Sequence, residues 1–192
     1  MKNLIQNTTE TAFYLTSAYI HPGDTVIDAT CGNGYDTLRL AQKHPGRLLA
    51  FDLQQKAVDA TRALLIENGF SEELAAGRFQ LFQESHEKID TYLTDPAAAI
   101  LFNLGYLPGG DKSFTTLAAS TLTAVNKALN LLKQNGILCI TMYSGHSEGA
   151  REKNALLNWA ATLNPSCYHA GYLNLINQKN NPPEVLVITR KK

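Results

Sequence analysis

Residues 25–37 read TVIDATCGNGYDT, and this stretch decides the fold. Residues 25–29 form a short apolar run, which is typical of a strand buried on both faces. Gly32 and Gly34 allow a tight turn after it, and without Cβ atoms they leave room for a ligand. A helix is predicted over 35–43, and the amide groups at its start face the same space. The stretch therefore predicts a strand, a ligand-binding turn and a helix.

The same alternation continues along the chain. Strands are predicted at 47–52, 78–82, 97–103, 136–143, 166–176 and 184–190 in addition to 25–29, and helices at 8–20, 35–43, 54–68, 115–133 and 149–163. Strands that alternate with helices indicate a mostly parallel sheet covered on both faces. The last two strands are joined by a polar turn, which predicts an antiparallel hairpin at one edge. We expect one α/β, Rossmann-like domain over residues 1–192 with a seven-stranded sheet.

The charge composition of the chain limits which kinds of substrate or binding partner it can hold. The chain has 17 basic and 17 acidic residues, so its net charge is zero, whereas proteins that grip duplex nucleic acid usually carry a basic excess. Either the substrate is small or a local basic patch holds a nucleic acid. The candidates for such a patch are Lys112, Arg151 with Lys153, Lys179 and the tail 190–192. A short basic tail can equally be a solvated terminus.

The expected location is the cytoplasm, without membrane association. No run approaches the roughly 18 apolar residues that span a bilayer, and the first residues lack the apolar stretch of a signal peptide. Cys31, Cys139 and Cys167 form no CxxC pair and have no zinc-site spacing, so we expect reduced thiols in or near the core.

Acidic residues around the turn indicate the cofactor. Asp52 ends the second strand, 18 residues after Gly34, where a carboxylate can accept both hydroxyls of a ribose. A dinucleotide site would have a third glycine where Thr37 stands, and Asp36 would repel a pyrophosphate. S-adenosylmethionine (SAM) carries a sulfonium and an ammonium, which suit acids at 28 and 36. A tight turn with two unrelated surface acids is the alternative.

Three segments carry a resemblance to a known family. The segments DATCGNGYDT (28–37), FD (51–52) and NLGYLPGGDK (103–112) resemble the class I SAM-dependent methyltransferases and, more narrowly, the rRNA methylase family. Members of this family include the tRNA 5-aminomethyl-2-thiouridine methyltransferase. The resemblance implies N-methylation of the aminomethyl group of that nucleoside at the wobble position of tRNA. The implied partner is then the anticodon stem-loop.

The resemblance also implies which residues bind SAM. Asp28, Gly32, Asn33, Gly34 and Asp36 would line its methionine end, and Asp52 would hold the ribose. The turn containing Ser85 and His86 matches the place where such enzymes position adenine. The full implied set of cofactor-binding residues is Asp28, Gly32, Asn33, Gly34, Asp36, Thr37, Asp52, Gln54, Ser85, His86 and Asn103. For His86, a solvated loop histidine is the alternative.

The predicted catalytic residues follow the fourth strand. An amine nucleophile needs acceptors that orient its N–H groups, and the Asn103 amide oxygen and the carbonyls of Leu104 and Gly105 could supply them. Tyr106 could stack on a base. This is the position of the Asn-Pro-Pro-Tyr element in enzymes that methylate exocyclic amines, although here it reads Asn-Leu-Gly-Tyr. An Asn that merely caps a turn is the alternative.

A base is required because an aminomethyl group is largely an ammonium at neutral pH. Asp111, Tyr143 and His146 are the candidates, since their loops follow the fourth and fifth strands. His146 has the most suitable unperturbed pKa, but a plain surface histidine is an equal alternative.

Other functions and the oligomeric state stay open. An rRNA methyltransferase, a small-molecule methyltransferase and a cofactor-binding protein without catalysis are the alternative functions. The apolar segment 172–176 should lie at the sheet edge, and such edges are often covered, so we expect a homodimer.

Overall fold

The computed structural model describes residues 7–93, 95–105, 116–179 and 181–191. It contains a seven-stranded sheet in the order β3-β2-β1-β4-β5-β7-β6. The strands are β1 (Thr25–Asp28), β2 (Arg47–Asp52), β3 (Phe79–Gln83), β4 (Ala97–Asn103), β5 (Leu132–Met142), β6 (Tyr168–Leu173) and β7 (Glu184–Arg190). The helices are α1 (Thr8–Ser17), α2 (Tyr35–Ala41), α3 (Gln55–Glu67), α4 (Ser71–Ala75), α5 (Ile89–Tyr92), α6 (Ala118–Leu131) and α7 (Ser147–Ala161).

Strand pairing confirms the predicted fold class. Strands β3, β2, β1, β4 and β5 pair in parallel. β7 pairs antiparallel with both β5 and β6, so the predicted hairpin is present and its second strand lies inside the sheet. β6 is left as the edge strand.

Helices cover both faces because alternate strand residues point to opposite sides. On one face, Val26, Leu48 and Leu101 pack with Phe13 of α1 and Leu40 of α2. On the other face, Ile27, Phe51 and Phe102 pack with Val125 of α6 and Leu156 of α7. The central strands are therefore apolar on both sides, as the continuous runs predicted.

Some bounds differ from the sequence prediction. Two short helices, α4 and α5, and a 3₁₀ turn over His86–Lys88 were missed, since each is too short for a periodic pattern. β6 ends at Leu173 rather than 176. β5 begins at Leu132 instead of 136, and its register with β4 shifts between Ala97 and Ala99, which hides its start from a pattern-based reading.

The strand order reverses at one point in the sheet, between β1 and β4. From β1 the chain proceeds outward to β2 and β3, and then returns to β4 on the other side of β1. The carboxyl ends of β1 and β4 thus flank a switch point, where open α/β sheets bind ligands. Within the described part of the chain, the helices are too short or too polar to cross a bilayer.

Candidate active site

The loop after β1 is held from beneath by Asp28. One carboxylate oxygen accepts the hydroxyl of Thr37 at 2.6 Å, and the other accepts the backbone N–H of Thr30 at 3.2 Å. Both Asp28 and Thr37 are fully buried. The sequence placed Asp28 and Thr37 among the cofactor contacts. In the structure their side chains bond to each other and join the end of β1 to the start of α2.

Burial changes the chemistry of Asp28. Desolvation, with smaller contributions from the charges of Asp36 and Asp52, raises its pKa from an ordinary 3.8 to about 7. The hydrogen bonds from Thr37 and Thr30 oppose this shift. A carboxyl group that is half protonated near neutrality therefore lies directly under the loop.

The two glycines of the loop are required by its backbone. Gly32 and Gly34 have φ angles of 52° and 84°, in the left-handed region that glycine adopts without strain. A Cβ on Gly34 would also lie 2.8 Å from the Cα of Thr61 on α3. The Thr61 hydroxyl donates to the Gly32 carbonyl at 3.2 Å. α3 therefore presses directly against the turn, and its sequence gave no sign of this role.

Asp52 lies beside the loop at the end of β2. Its carboxylate accepts the backbone N–H of Gly32 at 3.0 Å and that of Gln54 at 2.9 Å. Burial raises its pKa, against the pull of these hydrogen bonds. A carboxylate has about four acceptor positions, so these bonds leave capacity for the ribose hydroxyls predicted from sequence. Gln54 and Asn33 are half-buried next to it.

Asn103 ends β4 on the other side of the loop. Its side-chain amide nitrogen donates to Asp36 at 3.0 Å, and its backbone N–H donates to the Thr30 hydroxyl at 2.6 Å. Asp36 also accepts from Arg39 at 3.3 Å. The structure therefore brings Asn103, predicted from one motif, into contact with Asp36, predicted from another.

The turn after β3 places Ser85 and His86 differently from each other. Ser85 is half-buried, and its hydroxyl caps the 3₁₀ turn by accepting the N–H of Glu87 at 3.2 Å. His86 is only 8% exposed and packs edge-on against Phe102, with ring centroids 5.6 Å apart. Burial lowers its pKa, while a hydrogen bond to the backbone of Ala29 opposes this. The solvated loop histidine considered from sequence is wrong.

Comparison with known proteins identifies the family to which the chain belongs. The family model described as "Putative rRNA methylase" matches residues 48–189, which is most of the chain. The chain belongs to the rRNA methylase family. This confirms the resemblance seen in the loop motifs and makes the chain a SAM-dependent methyltransferase, as predicted.

Individual relatives agree with that family. A chloroplastic tRNA (mnm⁵s²U34)-methyltransferase of Arabidopsis thaliana is 34% identical, over 95% of this chain and 69% of that protein. A "putative rRNA-methylase" from Clostridium thermocellum is 34% identical with a TM-score of 0.90, over 97% and 98% of the two chains. A "putative methyltransferase" from Streptococcus mutans, solved with SAH, is 34% identical with a TM-score of 0.85, over 97% and 99%.

The candidate bases of this methylase have contrasting environments. The pKa of Tyr143 is raised, first by burial and then by the charge of Asp36, which keeps the phenol protonated at neutral pH. Tyr143 also contacts Gly105, where a Cβ would lie 3.6 Å from its own. His146 caps α7, and its Nδ1 accepts the N–H of Gly149 at 3.2 Å. That bond occupies the lone pair with which Nδ1 would accept a proton.

Two predicted catalytic residues, Tyr106 and Asp111, lie outside the described residues. The ends of their loop are described: the N–H of Gly105 donates to the Thr116 hydroxyl at 2.9 Å, and the N–H of Thr116 donates to the Gly105 carbonyl at 3.1 Å. The Gly105 carbonyl, predicted to face the substrate, thus already accepts one hydrogen bond.

Several residues of the methylase site had no sequence signal. Thr30 holds the backbone of Asn103, Thr61 supports the turn, and Arg39 holds Asp36. Thr30 is inside the quoted motif, but nothing in the motif connects it to residue 103. Only the pairing of β1 with β4 makes them neighbours.

The structure also shows where the basic residue Arg190 of the C-terminal tail and the thiol of Cys31 lie relative to the loop. Arg190 lies at the opposite end of the sheet from the loop, where it donates to the carbonyl of Leu132 at 2.6 Å. Arg190 is placed at that end because β7 runs antiparallel to β5. Cys31 is buried, and burial raises its thiol pKa, so it lacks the thiolate character of a nucleophile.

Proposed function

We propose that this enzyme methylates the aminomethyl nitrogen of 5-aminomethyl-2-thiouridine at the wobble position of tRNA. The Arabidopsis relative, whose name specifies mnm⁵s²U34, the 5-methylaminomethyl product of this reaction, supports the substrate. The observation that carries the proposal is the orientation of Asn103. Its amide nitrogen faces the Asp36 carboxylate, so its amide oxygen faces away as an acceptor for an amine N–H.

The residues around the loop fit SAM. Asp36, Asn33 and Asp52 offer acceptors at the carboxyl ends of β1 and β2, which suit a ligand with a sulfonium, an ammonium and a ribose. Bound SAM supplies a methyl group on a sulfonium that leaves as a neutral thioether. The contacts of these residues, together with Gly32, Gly34, Gln54, Ser85 and His86, remain predictions.

The protein then has to align the amine and accept its excess proton. Asn103 would orient the amine N–H, and alignment alone contributes a large share of such rate enhancements. Since Tyr143 is held protonated and His146 uses Nδ1 as a helix cap, neither is supported as the base. Asp111 keeps its candidacy as the base, and Tyr106 as a stacking residue.

Basic residues on the loop side of the sheet support contact with RNA. Lys153 of α7 lies on this side and forms an ion pair with Glu184 at 3.0 Å. Arg151, on the same helix, forms an ion pair with Glu148 at 2.8 Å. We propose that these residues and Lys179 contact the anticodon stem-loop.

The assembly and location belong to the same proposal. The chain would form a homodimer through β6, whose middle residues are exposed. A cytoplasmic location is consistent with three cysteines that form no disulfide.

The deciding experiment uses labelled SAM. The purified enzyme is incubated with bulk tRNA from a strain lacking its gene, and the tRNA is digested to nucleosides. We expect the label in 5-methylaminomethyl-2-thiouridine. Parallel reactions contain rRNA from the same strain and the free nucleoside. Label only in rRNA, or equal labelling of the free nucleoside, would contradict the proposal.

A further inference from the structure

The orientation of the Asn103 side chain depends on its partner. The oxygen and nitrogen of an amide have nearly the same shape, so the hydrogen-bond network decides which way the group faces. A carboxylate only accepts, and Asp36 Oδ2 lies 3.0 Å from the Asn103 nitrogen. If the amide turned over, two acceptors would face each other at that distance. Asp36 thus determines that Asn103 presents its oxygen away from the loop.

Asp36 is itself held by a second network. Its other oxygen, Oδ1, accepts from Arg39 at 3.3 Å, and Arg39 also donates to Glu10 of α1 at 3.0 Å. The Arg39 guanidinium lies 3.8 Å from the centre of the Phe13 ring, a cation–π geometry. The two oxygens of Asp36 therefore have different partners, which fixes the carboxylate plane. The Thr30 hydroxyl holds the Asn103 backbone at 2.6 Å.

We propose that Asp36 is a positioning residue for methyl transfer, which acts by holding the Asn103 amide so that its oxygen meets the substrate amine. This rests on the proposed function, since it presumes an amine nucleophile. The amide NH₂, if turned toward the amine, would place donors against donors. Asp36 thus contributes to the rate of transfer through Asn103, in addition to its proposed contact with SAM.

The two roles predict different measurements. A cofactor ligand changes the Kd of SAM or SAH and leaves kcat at saturating SAM nearly unaltered. A residue that acts through Asn103 changes kcat, and its effect disappears when Asn103 is already absent. A double-mutant cycle separates these cases.

The experiment compares Asp36→Ala, which removes the acceptor of the Asn103 amide, with Asn103→Ala and the double variant. SAH affinity is measured by calorimetry, and kcat with tRNA at saturating SAM. We expect Asn103→Ala to lower kcat roughly 100-fold, as a misaligned nucleophile does, with SAH affinity little changed. Asp36→Ala should lower kcat about 10-fold or more, and the double variant should be no slower than Asn103→Ala. Asp59→Ala on the exposed side of α3 is the matched control and should leave both quantities unchanged.

A readout without catalysis accompanies the kinetics. The side-chain NH₂ signal of Asn103, identified by its loss in Asn103→Ala, should shift in the Asp36→Ala spectrum of the protein without ligands. An unshifted signal would overturn the proposal, and so would multiplicative kinetic losses in the double variant or a loss confined to SAH affinity. If the wild-type enzyme methylates no tRNA, the proposed function fails, while the NMR result still decides whether Asp36 holds Asn103.

Discussion

At the scale of single residues, the site is built from acids with unequal surroundings. Asp28 is fully buried under the loop, Asp52 is half-buried beside it, and Asp36 accepts a hydrogen bond from Asn103. The same residue type therefore serves three purposes. Sequence spacing alone could not separate them, because their burial and their hydrogen-bond partners depend on the folded structure.

Asp28 should make stability depend on pH. Its folded pKa of about 7 exceeds the unfolded value of 3.8, so between these values the folded state binds more protons. Its contribution to stability is therefore full below about pH 4 and is lost as the pH rises to about 7, by at most about 4 kcal/mol. The measurement is urea denaturation from pH 4 to pH 8.

The variant Asp28→Asn isolates this contribution. Its amide oxygen can still accept from Thr37 but does not ionise, so the free energy of unfolding should fall less steeply with pH than in the wild type. Equal slopes in the two proteins would show that Asp28 does not titrate in this range.

Asp52 should be required for cofactor binding. Asp52→Ala removes the predicted ribose acceptor and the bonds to the N–H groups of Gly32 and Gln54, so calorimetry should detect no SAM binding. Asp52→Asn keeps one acceptor oxygen. Its binding free energy for SAM should be weaker than that of the wild type by roughly 1.5–3 kcal/mol, because charged hydrogen bonds are lost. Unchanged SAM affinity in both variants would remove Asp52 from the cofactor site.

At the scale of helices and loops, α7 holds the base of the loop after β4. Glu152 of α7 is 2% exposed and accepts the hydroxyl of Thr116 at 2.8 Å and that of Thr121 at 2.6 Å. The Thr116 hydroxyl in turn accepts the N–H of Gly105. One buried carboxylate thus connects α6, α7 and the segment that follows Asn103.

Glu152→Ala should destabilise the protein by about 2–4 kcal/mol, since the buried Thr121 hydroxyl and the half-buried Thr116 hydroxyl lose an acceptor. Glu152→Gln should cost less, because one oxygen can still accept. The free energy of unfolding is measured in urea, with Glu148→Ala on the same helix as the control, since Glu148 is exposed and pairs only at the surface. Equal destabilisation at 148 and 152 would contradict this role.

At the scale of the whole molecule, β6 leaves one edge of the sheet unpaired within the described chain. The residues between Tyr168 and Leu173 are exposed, and Tyr172 and Ile176 are 44% and 91% exposed. An edge with exposed apolar side chains favours association with a second copy.

We therefore predict a dimer in solution that forms through β6. Small-angle scattering should give twice the mass of 21.0 kDa, and Gly171→Pro should shift it toward the monomer because proline weakens an edge strand as a pairing partner. A monomeric mass for the wild type at high protein concentration would refute the prediction.

The sequence by itself determined the α/β class, the parallel strands, the edge hairpin and the glycine turn after β1. Each of these rests on local patterns: apolar runs, turn glycines and acids that end strands. The missed helices α4 and α5 are shorter than the window of roughly 11–18 residues over which a helical period can be recognised.

Only the tertiary structure decided which polar groups meet. Thr30 with Asn103, Asp36 with Asn103, Thr61 with Gly32 and Glu152 with Thr116 are each separated by tens of residues. Such contacts depend on strand order and helix packing, which bring distant segments together. A single sequence does not show which distant residues become neighbours. The same packing buried Asp28 and His86 and so changed what their charges can do.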